Sequence, residues 1–129
     1  MKNRMKNRMK NRMINRMKIY LVCATLLLTL AACTSAGTLR NGAPMAVYAG
    51  SSSAGDVASC VSAAWATKHY QISTEPLVSG TSLQLRATDN GPILALVDIV
   101  PVGEKTVATY YSRMPDDDSW FFKEVKGCM

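Results

Sequence analysis

Few residues in this 129-residue chain are of a type that does chemistry. They are one histidine, His69, four cysteines, Cys23, Cys33, Cys60 and Cys128, three consecutive acids from Asp116 to Asp118, and Asp98 inside an apolar run. Nucleophilic catalysis needs a nucleophile, a base and a group that orients the base. One histidine among scattered serines and aspartates does not assemble that set, so no catalytic residue is assigned and no enzyme is expected. The acidic run lacks the alternating ligands and the glycine of a calcium loop. It reads instead as a helix N-terminus, where acids oppose the macrodipole. There is no Cys-x-x-Cys spacing for a zinc site, and neither a metal nor a cofactor is expected. His69 follows Lys68 where a first helix should end, a place that favours polar or cationic side chains. Asp98 has two readings: a buried acid with a raised pKa, which would hint at function, or an acid that simply sits on the exposed face or pairs with Arg86 or Arg113 on a neighbouring strand.

The elements that hold these residues follow from hydrophobic period. Val57, Cys60, Val61, Ala64 and Trp65 recur at helical spacing behind Asp56, which predicts a helix with Asp56 as N-cap. Trp65 is in register with that stripe and reads as core packing rather than as a ligand-stacking ring. The pattern then switches to alternation. Leu83, Leu85 and Ala87 against Gln84 and Arg86 predict a strand over 81–88 with one wet face. A turn at Asp89-Asn90-Gly91-Pro92 leads into 93–102, apolar enough to be a central strand. After Gly103-Glu104-Lys105, a third strand over 106–113 places Val107, Thr109 and Tyr111 on one side and Ala108 and Tyr110 on the other. Short connections favour an antiparallel meander. An added edge strand over 71–78 is a further option, weakened by Pro76. Phe121, Val125 and Cys128 share one face of a C-terminal helix, although Trp120, Phe121 and Phe122 also suit a strand.

The N-terminal third has a different character. Residues 1–16 repeat a Met-Lys-Asn-Arg unit, with Ile14 replacing Lys in the fourth copy, and Met17-Lys18 begins what would serve as a signal peptide alone. Eight Lys or Arg and no acid precede an uncharged apolar segment, 19–32. At about 1.5 Å per residue that segment reaches only ~21 Å, short of the ~30 Å hydrocarbon core. A cleaved signal fits better than a permanent span. The repeat reads as a product of short-repeat slippage rather than as a nucleic-acid or membrane arm.

The segment closes on Leu30-Ala31-Ala32-Cys33, which resembles the lipobox of bacterial lipoproteins. The resemblance covers the leader and Cys33 and does not extend into the domain. It implies processing before Cys33, lipidation of the Cys33 thiol with palmitate among the acyl chains, and attachment to a membrane. Thr34 follows the cysteine in place of the aspartate associated with inner-membrane retention, so the expected location is the periplasmic face of a Gram-negative outer membrane.

Removal of residues 1–32 changes how the rest is read. Of fifteen basic residues seven remain, against all nine acids, so the formal charge of +6 becomes −2. The basic balance that would argue for nucleic acid leaves with the leader, and no nucleic-acid partner is expected. Cys23 leaves too, and Cys33 carries lipid. Cys60 and Cys128 are then the remaining pair, expected to form a disulfide in an oxidising envelope, worth roughly 4 kcal/mol by chain entropy. Residues 33–55, rich in Ser, Gly and Ala with Pro44 and Asn41-Gly42, read as a flexible tether. Within it Met45 to Tyr48 is either a docking strand or an apolar spot in the linker. Residues 56–129 are then a small single α+β domain: an N-terminal helix, a three- or four-stranded antiparallel meander, a C-terminal helix and one disulfide.

The function expected from these features is that of a lipid-anchored module, interacting or structural, with an envelope protein as partner. Tyr110, Tyr111 and Ser112 are its candidate surface contacts. The alternative is a small inhibitor or phage-exclusion factor at the envelope.

Overall fold

The computed structural model describes residues 35–114 and 119–129. Cys33, the repeats and apolar run before it, and the acids Asp116 to Asp118 lie outside the described residues. The chain forms α1 (Ser35–Arg40), β1 (Ala46–Gly50), α2 (Ala54–Trp65), β2 (Gln71–Leu77), β3 (Gly80–Arg86), β4 (Ile93–Val102), β5 (Lys105–Ser112) and α3 (Ser119–Gly127). The strands make one sheet in the order β1-β5-β4-β3-β2, antiparallel at every pairing. The fold is therefore α+β with a five-stranded sheet, not three or four strands. Strands β2 to β5 are the expected meander. Its centre is β4, as the near-continuous apolar run predicts.

The fifth strand comes from within the segment read as a tether, at the Met45 to Tyr48 stretch for which a docking strand is one of two readings. Ala46 to Gly50 pairs with β5 from Ala46 opposite Tyr110 to Gly50 opposite Thr106. Ser35–Arg40 is helical as well, so the described part of the expected tether carries structure up to the start of α2. The expected first helix is thus preceded by a helix and a strand. Its N-cap is also one turn earlier than expected: the Ser53 hydroxyl accepts a hydrogen bond from the Asp56 amide at 3.1 Å, which makes Asp56 a first-turn acid rather than the cap.

The core forms on one face of the sheet. Val57, Val61 and Trp65 of α2 and Phe121 and Val125 of α3 pack on Leu83, Leu85, Val97, Ile99, Ala108 and Tyr110. The Trp65 ring meets Tyr110 and Phe121 edge-on at centroid distances of 6.1 and 5.9 Å, and its Nε1 donates to the Phe121 carbonyl at 3.2 Å. The indole is thus buried with its one polar atom satisfied. The C-terminal segment is helical because the i, i+4, i+7 spacing then brings Phe121, Val125 and Cys128 to the core together, whereas strand alternation would keep Phe121 and Val125 on one side and turn Cys128 to the other, away from its disulfide partner on α2. Cys60 and Cys128 are bonded, with Cα atoms 5.7 Å apart, and join α2 to α3.

Two glycines fix the turns that set the register. Gly103 adopts φ 61° as the first residue of the two-residue β4–β5 loop, the arrangement of a type II′ hairpin. Gly80, at φ 125°, ends the β2–β3 turn, where a Cβ would come 2.2 Å from the Ile99 carbonyl oxygen. β2 keeps Pro76 because it is an edge strand.

Candidate functional site: the open face of the sheet

The second face of the sheet is built differently. Alternation along β4 sends Leu96, Asp98, Val100 and Val102 there, and register adds Val47, Thr109, Ser82 and Glu75 in the row through Asp98. Among the described residues only α1 lies over this face. Leu39 of α1 is buried against Ile93 and Leu96, with Ala36 and Tyr111 at the margin. Arg40 grips Asp98 with both arms of its fork, Nε to Oδ2 at 2.8 Å and Nη2 to Oδ1 at 2.9 Å, while Nη2 also donates to the Ser82 hydroxyl at 3.1 Å. This hydrogen-bonded pairing with Asp98 raises the Arg40 pKa further, which outweighs the opposing effect of burial and keeps the guanidinium charged.

Asp98 is therefore neither unpaired nor bonded to Arg86 or Arg113. Its side chain is 14% exposed and its partner, 58 residues earlier, comes from α1. Arg86 donates instead to the Gly91 carbonyl at 2.7 Å and to the Gln84 side-chain oxygen at 3.1 Å, while the Gln84 amide donates to the Glu75 carboxylate. These links explain a departure from the expected wet face of β3. Ser82 and Gln84 are buried, beneath α1 and within this polar network, and Ala87 lies beyond the strand and is exposed.

The expected contact set Tyr110, Tyr111 and Ser112 is divided by the sheet. Tyr110 is fully buried under the helices and cannot be a surface contact. Tyr111 faces the other way, half-buried beside Leu39. The Ser112 hydroxyl accepts from the Met114 amide at 2.9 Å and serves to turn the chain after β5. His69 is exposed in the loop after α2, and Lys68 beside it places its Nζ 4.6 Å over the Trp120 ring.

Exposed large apolar side chains gather on the open face. Of the large apolar side chains exposed among the described residues, Met45, Val47 and Val102 lie on it, while Val78 is in the β2–β3 turn. A separate shallow groove of about 540 Å³ runs between α2 and the β2–β3 edge, lined by small or uncharged side chains such as Ala58, Ser62, Thr74 and Thr81. Among the described residues no group of three or more His, Cys, Asp or Glu is placed to hold a metal ion, and no helix is long and apolar enough to cross a membrane.

Comparison with known proteins gives no relative: no family model matches the chain, and neither the curated proteins nor the solved structures contain a significant match.

Proposed function

We propose that this chain is the precursor of a lipid-anchored envelope lipoprotein, cut before Cys33 and held by acyl chains on that cysteine at the periplasmic face of a Gram-negative outer membrane. The observation that carries this reading is the basic leader and uncharged apolar run closing on Leu30-Ala31-Ala32-Cys33. A disulfide across 68 residues of a small domain supports it, because such bonds persist in oxidising compartments. The mature domain acts by binding an envelope protein rather than by catalysis. The part it offers is the open sheet face, where apolar side chains of β1 and β4 stand beside the Arg40–Asp98 pair.

Metabolic labelling with palmitate tests the anchor. The native chain takes up label and Cys33→Ala does not, remaining unprocessed or leaving the membrane fraction; label retained by Cys33→Ala would refute it. Cross-linking in isolated membranes followed by pull-down tests the role. One abundant envelope protein is the expected product, whereas recovery of a lytic enzyme or a phage protein would replace a structural role with inhibition or exclusion.

A further inference from the structure

The open face is stepped rather than flat. α1 stands over the end of it that holds Ile93 and Leu96, and reaches the Asp98 row through Arg40. The next row along the strands is made by Ala49 of β1, Val107 of β5, Val100 of β4 and Leu77 of β2, with Gly80 of β3 between the last two. Val102 extends the strip toward the β4–β5 turn. Ala49 and Val102 are exposed, Val107, Val100 and Leu77 are half-buried, and no charged residue lies in the row. Among the described residues nothing covers it. The strip measures about 19 Å across the five strands and about 14 Å along them, from Asp98 to Val102.

These dimensions choose between occupants. A second sheet would settle about 10 Å above the strands, in the layer that α1 already fills. The strip is also only roughly 300 Å² in plan, whereas a stable pairing of two chains buries about 800 Å² on each. A lone extended segment covers about 5 Å of the width and lays unpaired main-chain polar groups on the valines. A helix pairs its own main chain and is about 10–12 Å wide, so it fills the trough beside α1. The chain's own α1 seats on this face in the same way, with Leu39 turned down onto Ile93 and Leu96 and Arg40 at the margin.

We propose that the strip receives one amphipathic helix of the envelope protein, about 13 residues long where it crosses the strands. The inference rests on the reading that the open face binds such a protein, and it names the element that binds. Charge places the polar flank of that helix. Arg40 and Asp98 neutralise each other at one margin. Of the two exposed charges at the other, Glu104 and Lys105, register with Val102 puts Lys105 on the open face, outside any ion pair among the described residues. The helix therefore turns an uncharged stripe at i, i+3, i+4 and i+7 toward the valines and carries an acid on the flank that passes Lys105.

The test is photo-cross-linking in cells that express the full chain, with p-benzoylphenylalanine in place of Ala49, of Leu77, or of the exposed Lys126 on α3. Ala49 and Leu77 sit on the two edge strands, so one helix laid across the sheet meets both. Both should cross-link to one segment of one envelope protein, at residues about 12–13 apart, as about 19 Å at 1.5 Å per residue requires. Attachment points about six residues apart would mean an extended segment and would overturn the proposal. So would cross-links between copies of this chain, two unrelated partners, or no product from either site. Val47, exposed on the same strand, replaces Ala49 if that variant misfolds. An envelope protein captured at Lys126 alone defeats the strip and leaves the binding role standing, whereas no envelope product at any of the three sites defeats the role as well. Lys105→Glu should lower the yield at both edge sites several-fold while Lys105→Arg keeps it; equal yields from all three proteins would overturn the acidic flank.

Discussion

On one face of the sheet, Leu83, Val97, Ile99 and Tyr110 disappear beneath two helices that are themselves covalently joined, while on the other a six-residue helix is held by one leucine and one arginine. The first face gains its stability from apolar area and ring packing, which need no particular partner beyond close fit. The second depends on a few directional contacts and leaves valines in solvent. A helix as short as α1 has no stability of its own in water, so it stays folded only while Leu39 and Arg40 hold. The difference separates the part of the molecule that specifies the fold from the part free to meet something else.

Substitutions that probe the two faces should differ by their cost. Trp65→Ala should lower unfolding free energy in urea by about 4 kcal/mol, through the lost ring volume and the lost indole hydrogen bond to the Phe121 carbonyl. A loss below 1 kcal/mol would show that the helix-covered face is not the stabilising one. Replacing Cys60 and Cys128 together by serine should cost between about 2 and 4 kcal/mol. In the native protein neither thiol should react with maleimide under denaturing conditions until a reductant is added.

On the open face, Asp98→Asn should cost about 1 kcal/mol or less in global unfolding, since the ion pair is partly exposed. Its larger effect should be local: trypsin should cut after Arg40 several-fold faster once α1 loosens. Equal protection of that bond in both proteins would show that Arg40 does not hold α1 in place. Val47→Ser should change stability by less than about 0.5 kcal/mol. A large loss there would mean that the face is covered, and the contrast between the two sides would collapse.

The helix-covered face was largely legible in the sequence because periodicity encodes it. The stripe from Val57 to Trp65 and the apolar run of β4 each state their own environment within a dozen residues. Alternation in β5 already put Tyr110 and Tyr111 on opposite sides; which of them is buried was decided by where α2 and α3 pack, not by the strand. The open face was legible only in pieces. α1 is too short for a periodic signal, β1 has Ala and Gly where stronger strand formers would announce it, and their structure comes from contacts with β4 and β5. Arg40 as the partner of Asp98 depends on the chain returning over the sheet from 58 residues away, which no local pattern records. Likewise Ser82 and Gln84 look wet in an alternating strand until Arg40 and Glu75 are placed over them.

The Cys60–Cys128 bond also fixes how the domain would carry a mechanical load. Strands β2 to β5 lie inside the covalent loop, whereas α1, β1 and the first half of α2 lie outside it. Tension drawn from the N-terminal side toward Met129 would pass from Cys60 straight to Cys128 and bypass the meander. Only the N-terminal elements could lengthen, by undocking α1 and then peeling β1 from β5. A pull on the N-terminal side would therefore release the strand and helix of the open face first, and would leave the four-stranded remainder folded under force.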